Sequence, residues 1–166
     1  MTVLRAKWST YMDRQHRNPS GMIGQVIAER MRWQPAPETD WSVNLLHLQP
    51  TDRVLEIGFG AGRGLELVLA QSHQQGVTGM DLSPTIIRAA ARRYRIAIEH
   101  DKLILVHGNI ANLPFGEQQF DKLLSIHTFY FWPDPSAVCT QLIHMLAHGG
   151  RLVSTCATAR RLANGA

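Results

Sequence analysis

The sequence has 166 residues, of which 45% are hydrophobic and 18% charged, and its formal net charge is +4 at pH 7. No apolar run approaches the roughly 18 residues of a membrane span, and no apolar leader follows the N-terminus, so we expect a cytoplasmic globular protein without membrane contact. The small excess of positive charge does not indicate a nucleic-acid partner, and the two cysteines lack metal-ligand spacing, so we expect no metal.

Residues 1–50 predict helices rather than strands. Residues 1–19 read as a polar arm, and apolar residues at helical spacing predict a helix over 20–33. Thr39 or Asp40 is expected to cap a second helix that ends before Pro50. The residues expected on the buried side of this helix are Trp41, Leu45, Leu46 and Leu48. We predict residues 1–50 as a helical arm or cap and 51–166 as a separate α/β core.

After residue 50, short apolar segments alternate with helical ones. Strands are predicted at 53–57, 76–81, 103–107, 122–126 and 151–156. Helices are predicted at 65–71, from Ser83-Pro84 onward, and at 135–146, followed by a His148-Gly149-Gly150 turn. This alternation predicts an open, doubly wound, mostly parallel α/β sheet with helices on both faces. Ligands of such sheets bind beyond the carboxyl ends of the strands.

A glycine-rich turn follows the first predicted strand, with glycines at 58, 60 and 62. Glycines permit positive φ angles and a close approach of backbone to a ligand, and the next helix directs free N–H groups at that ligand. The dinucleotide fingerprint G-x-G-x-x-G requires glycine at position 63, where this chain has Arg63. The carboxylate of Glu56 at the strand end favours a ligand that carries an amino group.

The second predicted strand ends in Asp81. An acidic side chain at this place can accept hydrogen bonds from both hydroxyls of a ribose. The alternative is that Asp81 caps the Ser83-Pro84 turn.

Four segments in this order resemble the motifs of class I S-adenosylmethionine-dependent methyltransferases of the small-molecule type. They are Glu56-x-Gly58-x-Gly60-x-Gly62 with Asp81, residues 108–115 (GNIANLPF), residues 120–125 (FDKLLS) and residues 146–152 (LAHGGRL). The resemblance implies a Rossmann-like fold, S-adenosylmethionine as methyl donor and a small organic molecule as acceptor.

The resemblance also implies individual roles. Glu56 and the turn formed by Gly58, Phe59, Gly60 and Gly62 would hold the methionine part of the donor. Asp81 would bind the ribose, and Leu82 would pack on the adenine. Asn109 stands where the family usually has Asp for the adenine amino group, and Ile110 would donate a backbone N–H to adenine. Ser125 and Ile126 would line the donor site from strand four.

His127, directly after strand four, is the candidate base for acceptors that must lose a proton. A structural histidine is the alternative. Tyr130, Phe131 and Trp132 either wall the acceptor pocket or belong to the core.

The family's sheet continues beyond strand five with a further strand pair. We expect this pair to be missing and the domain truncated, which leaves strand five as an apolar edge open to homodimer formation. The main hypothesis is therefore a small-molecule methyltransferase. The alternatives are a cofactor-binding but inactive domain and, more remotely, an NAD-dependent oxidoreductase.

Overall fold

The structure is a computed structural model that describes residues 37–72, 76–117 and 119–156. The predicted arm at 1–19 and the predicted helix at 20–33 lie outside the described residues.

Five parallel strands form one sheet in the order β3-β2-β1-β4-β5. The strands are β1 (Val54–Ile57), β2 (Val77–Asp81), β3 (Leu103–His107), β4 (Phe120–Ile126) and β5 (Leu146–Thr155). Because β1 pairs with both β2 and β4, the strand order reverses there, and the carboxyl ends of these three strands meet at the point where such sheets bind ligands. The predicted doubly wound parallel sheet is confirmed.

One helix precedes the first strand and the others connect successive strands, except between β3 and β4, where the described residues form no helix. They are α1 (Pro37–Leu45), α2 (Arg63–Gln71), α3 (Pro84–Arg93), α4 (Arg95–Glu99) and α5 (Pro135–Met145), with a 3₁₀ turn at Phe129–Phe131. Ser83 caps α3 as its sequence predicts, since its side chain accepts the Ile86 N–H and Pro84 occupies the first turn. Asp134 caps α5 in the same way.

The two faces of the sheet bury separate apolar clusters. One face packs against α1, α2 and α3 and includes Val54, Leu65 and Leu124. The other packs against α5 and includes Leu55, Leu123 and Leu142. Neighbouring residues of one strand point to opposite faces, so Glu56 lies on the same face as Val54, under α2.

The predictions for the cap helix and for the last strand need correction. Helix α1 begins at Pro37 rather than at Thr39 or Asp40, and Trp41 is 57% exposed instead of buried, because Thr39, Ser42 and Val43 form the inward side.

The segment 148–150, predicted as a turn, lies inside β5, which starts at Leu146. The register of β4 against β5 jumps here, since Phe120 pairs with Leu146 and Lys122 with Arg151. Gly149, with φ +76°, accommodates the extra residues of this irregularity.

Strand β5 lies at one edge of the sheet. None of the helices in the described part of the chain has the length and apolar character of a membrane span. The division at residue 50 and pairing through the β5 edge stay predictions.

Candidate functional site

The glycine turn joins β1 to α2 and adopts the conformation that its glycines allow. Gly58, Gly60 and Gly62 have φ angles of +68°, +50° and +85°. The Gly58 N–H donates to the carbonyl of Met80 at 2.7 Å, which fixes the turn to the neighbouring strand β2. Residues with a Cβ rarely adopt these angles, so the predicted tight turn is confirmed together with its need for glycine.

Two of these glycines also leave room for side chains from elsewhere. A Cβ at Gly58 would lie 2.5 Å from Cγ2 of Thr128, which follows β4. A Cβ at Gly62 would lie 2.9 Å from the hydroxyl of Tyr94, at the end of α3. The turn is therefore packed between the loop after β4 on one side and α3 on the other.

Tyr94 and Arg93 support the turn through hydrogen bonds to its carbonyl groups. The Tyr94 hydroxyl donates to the Gly62 carbonyl at 2.8 Å, and Arg93 Nη1 donates to the Ala61 carbonyl at 2.6 Å. Burial raises the pKa of Tyr94, which keeps the phenol protonated and able to donate. No motif in the sequence singles out these two residues, because their contacts join positions 32 residues apart.

Asp81, at the carboxyl end of β2, is buried and clamps the turn. One carboxylate oxygen accepts the Gly60 N–H at 3.0 Å and the other accepts the Ser83 N–H at 2.8 Å. Burial raises the pKa of Asp81, while these backbone hydrogen bonds oppose the rise. The predicted turn-capping contact is thus present, but each carboxylate oxygen has a further lone pair with which it can accept a ligand hydroxyl.

Glu56 is the most unusual polar side chain of the site. It is 3% exposed, lies against the backbone of Gly64 at the start of α2, and its Oε2 atom has no hydrogen-bond partner. Burial, with a further contribution from the nearby negative charge of Asp81, raises the pKa of Glu56 to about 8. Two carboxyl groups therefore share a buried region next to the turn, an arrangement that a cationic ligand would stabilise.

Leu82 and Phe59 have opposite environments. Leu82 is 37% exposed beside Asp81, where a flat apolar group could pack on it. Phe59 is 4% exposed, and its ring lies in the core against Gly79. Only the backbone of Phe59 can contribute to binding, as the resemblance implies for the turn as a whole.

Asn109 and Ile110 follow β3 in the loop nearest to β2. The side-chain oxygen of Asn109 accepts the Ala111 N–H at 3.0 Å, which makes a local turn. Asn109 is exposed, and Ile110 packs partly against the core. A ligand that used the Asn109 oxygen would have to share or replace this local contact.

The residues after β4 complete the rim. The hydroxyl of Ser125 is buried and contacts the hydroxyl of Thr128. The Thr128 hydroxyl oxygen also accepts the indole N–H of Trp132 at 3.1 Å. Trp132 is 6% exposed and belongs to the core, whereas Phe129 and Tyr130 are 41% and 51% exposed. Phe129 and Tyr130 are thus the most exposed of the aromatic side chains after β4, and Phe131 is half-buried.

His127 lies beside helix α1. Its Nε2 atom lies 3.3 Å from Oε1 of Glu38 in α1, and its buried Nδ1 atom has no hydrogen-bond partner. The sequence suggests His127 through its position after β4 but contains no signal for Glu38, 89 residues earlier. Within the described ranges, no group of three or more metal-ligating side chains converges.

Comparisons with known proteins agree with this geometry. A family model described as "Methyltransferase domain" matches residues 55–154. Among curated proteins, the chain is 28% identical over 115 residues to the uncharacterised methyltransferase YdaC of Bacillus subtilis, covering 69% of this chain and 61% of that protein. It is 29% identical over 136 residues to a fatty-acid O-methyltransferase of Mycolicibacterium smegmatis, covering 76% of this chain and 48% of that protein.

The fold also recurs among solved structures. A protein from Methanococcus maripaludis assigned as an S-adenosylmethionine-dependent methyltransferase matches with a TM-score of 0.68 at 20% identity, covering 79% of this chain and 61% of that one. The chain spans less than two thirds of the length of these relatives. At this level of identity, the structural match supports the fold but not a particular acceptor.

Proposed function

Because the chain belongs to the class I methyltransferase domain family, we propose that it transfers a methyl group from S-adenosylmethionine to a small organic acceptor. The family model covers residues 55–154, which include the glycine turn and the ends of β2, β3 and β4. The donor and the acceptor class are inferences from the site.

The observation that carries the proposal is the buried carboxyl group of Glu56, whose Oε2 atom has no hydrogen-bond partner. Ionising Glu56 in this buried place is costly, and Asp81 adds negative charge rather than compensating it, which is why the pKa of the ligand-free carboxyl group rises to about 8. S-adenosylmethionine carries an ammonium group and a sulfonium group, so its methionine part would supply the positive charge that stabilises Glu56 in its ionised form. A neutral ligand, or a dinucleotide with its anionic pyrophosphate, would not relieve this cost.

The other residues of the site suit the adenosine part. Asp81 would use its remaining lone pairs to accept both ribose hydroxyl groups, and the exposed side chain of Leu82 would pack on the adenine. Asn109 and Ile110 would contact the adenine edge, with the Asn109 side chain exchanging its present contact with Ala111 for one to the ligand.

The remaining cofactor contacts would come from the turn and from strand β4. The backbone of Gly58, Phe59, Gly60 and Gly62 would hold the methionine part, and Ser125 and Ile126 would line it from β4. The donor's sulfonium makes the methyl group reactive, so the task of the chain is to align donor and acceptor; such positioning contributes about 7–11 kcal/mol to lowering a barrier.

The acceptor side has an apolar character. Phe129 and Tyr130 expose their rings at the carboxyl end of β4, next to the loop that contacts Gly58. One relative is named as a fatty-acid O-methyltransferase, and others are named as phthiotriol and phenolphthiotriol dimycocerosate methyltransferases. We therefore propose an acceptor with a sizeable apolar part.

Isothermal titration calorimetry tests the cofactor half of the proposal. Wild-type protein should bind S-adenosylmethionine, and Asp81→Ala should bind it at least tenfold more weakly, since a charge-assisted hydrogen bond contributes about 1.5–3 kcal/mol. Asp81→Asn, which keeps the shape of the side chain, separates loss of charge from collapse of the turn. Glu99→Ala, at an exposed carboxylate of α4, is the control.

Equal affinity of wild type and Asp81→Ala, or tighter binding of NADH than of S-adenosylmethionine, would refute this half. Turnover is then tested with radiolabelled donor against a panel of alcohols, phenols, amines and carboxylic acids. Donor binding without transfer to any member of the panel would instead favour a cofactor-binding domain without activity.

A further inference from the structure

Helix α1 packs on the face of the sheet that carries α2, and its first half lies beside the carboxyl ends of β4 and β5. The Ser42 hydroxyl lies 2.6 Å from that of Thr155 at the end of β5, and Arg63 at the start of α2 forms an ion pair with Asp40 at 2.9 Å. These contacts, 113 and 23 residues apart in sequence, hold α1 between β5 and the glycine turn. They place Glu38, in the first turn of α1, beside the end of β4.

His127 occupies an unusual backbone conformation at that end. Its φ angle is +56°, which residues other than glycine seldom adopt. Its backbone N–H donates to the Thr155 carbonyl at 2.7 Å, and its Nε2 atom lies 3.3 Å from the Glu38 carboxylate. Strained backbone of this kind persists where the surrounding structure holds it and is frequent at active sites.

An ionised Glu38 favours one of the two tautomers of the neutral His127 ring. An ionised carboxylate only accepts hydrogen bonds, so Nε2 must be the donor, and a neutral ring then has a bare Nδ1. That Nδ1 atom is buried and has no hydrogen-bond partner. An unused lone pair shielded from water costs free energy, and a ligand hydroxyl that displaced the groups covering Nδ1 would relieve this cost by donating to it.

His127 also borders the donor site. The next residue, Thr128, contacts Gly58 of the glycine turn so closely that no Cβ fits between them. Ser125, two residues before His127, contacts the same threonine hydroxyl. The histidine thus stands between the cap helix and the turn that would hold the methyl donor.

We propose that His127 is the catalytic base of this enzyme, that Glu38 is its positioning residue, and that the acceptor is a hydroxyl compound. This inference rests on the proposed function. In the reaction, the acceptor oxygen attacks the donor methyl group, an O–CH₃ bond forms and the S–CH₃ bond breaks. The hydroxyl proton passes to Nδ1, and the positive charge of the sulfonium moves to the imidazolium, which Glu38 stabilises. S-adenosylhomocysteine leaves as a neutral thioether.

The acceptor class follows from the need for a base. A carboxylic acid has already lost its proton at neutral pH, so its methylation requires no histidine. An alcohol keeps its proton until the transition state, where a positioned base contributes roughly 10²- to 10⁴-fold in rate.

A spectroscopic test requires no acceptor. In ¹⁵N-labelled protein, long-range ¹H–¹⁵N spectra report which nitrogen of each neutral histidine is protonated, and His127→Gln assigns the signals. Wild-type His127 should show a protonated Nε2 and a bare Nδ1. Glu38→Gln should shift the population toward the other tautomer, and Glu38→Asp should restore part of the wild-type signature.

A wild-type ring protonated at Nδ1 would overturn the proposal, because the nitrogen assigned to the acceptor proton would already be occupied. A tautomer population unchanged in Glu38→Gln would overturn the role of Glu38. Glu99→Gln, at the exposed carboxylate of α4, is the control and should leave the His127 signals unchanged.

A kinetic test uses two acceptor probes with the same ten-carbon skeleton, 1-decanol and decanoate. With 1-decanol, His127→Gln should lower kcat at least 100-fold and Glu38→Gln about tenfold, with KM changed less than threefold. Methylation of decanoate alone, or equal turnover of 1-decanol by His127→Gln and wild type, would overturn the proposal. If neither probe is methylated, the tautomer measurement on His127 decides whether the proposed roles of His127 and Glu38 hold.

Calorimetry keeps this inference separate from the proposed function. His127→Gln and Glu38→Gln should bind S-adenosylmethionine as wild type does, whereas failure of the wild type to bind the donor would refute the proposed function itself.

Discussion

Replacing Glu56 by Gln should change how the stability of the protein depends on pH. The carboxyl group is 3% exposed, Oε2 has no partner, and burial raises its pKa from 4.5 to about 8. The folded protein therefore holds a proton on Glu56 that the unfolded chain releases above pH 4.5. The contribution of this proton to the free energy of unfolding is fully present below pH 4.5. It is lost as the pH rises toward 8, because ionisation of Glu56 favours the unfolded state.

The magnitude follows from these two values. The interval between 4.5 and about 8, at about 1.4 kcal/mol per pH unit, corresponds to about 5 kcal/mol in total. Between pH 5 and pH 8 the expected loss from this one group is about 3 kcal/mol, which is a large part of the stability of a small domain. A glutamine has the same shape and no titratable proton, so the variant should lack this loss.

Urea unfolding of the ligand-free protein at pH 5, 6, 7 and 8 measures the effect. The informative quantity is the difference in free energy of unfolding between pH 5 and pH 8, because any fixed cost of burying the glutamine amide cancels in it. Wild type should lose about 3 kcal/mol more than Glu56→Gln over this range. Glu99→Gln, at an exposed carboxylate of α4, should follow the wild-type curve. Parallel curves for wild type and Glu56→Gln would show that Glu56 is not a buried, unpaired acid.

Two further substitutions test the glycine turn. Gly58→Ala should destabilise the protein by about 2–4 kcal/mol, since it combines an unfavourable φ of +68° with a contact of 2.5 Å between the new Cβ and Thr128. In urea unfolding, adding Thr128→Ser, which removes only the methyl group, should recover part of this loss. No recovery would contradict the clash. Tyr94→Phe removes the hydrogen bond to the Gly62 carbonyl and should weaken S-adenosylmethionine binding about three- to tenfold in calorimetry. The control Tyr130→Phe should bind the donor as wild type does. Unchanged affinity of Tyr94→Phe would show that the Tyr94 hydroxyl does not support the turn.

Much of the fold follows from local patterns in the sequence. The alternation of apolar strands with helical segments predicts a parallel sheet, and strand β3 begins and ends at the predicted residues 103 and 107. Ser83-Pro84 predicts the start of α3, because a capping hydroxyl and a proline at the first helical position act within a few residues.

Predictions that depended on distant contacts were less successful. Its apolar side chain predicts that Trp41 lies on the buried side of α1, yet Trp41 is 57% exposed, since the position of α1 on the sheet turns Ser42 and Val43 inward. Gly149 and Gly150 predict a turn but lie in the irregular start of β5, because glycines indicate a turn and a strand irregularity equally well.

The sequence by itself determined the family, the parallel sheet and the position of the glycine turn between Glu56 and Asp81, because these depend on residue types at fixed spacing along one segment. Only the tertiary structure decided that Glu56 is buried without a partner, that Tyr94 supports Gly62, and that Glu38 faces His127. The physical reason is that burial, pKa and the orientation of a side chain depend on what other elements of the fold place around it. The contact between Glu38 and His127 spans 89 residues, and no local pattern encodes such a distance.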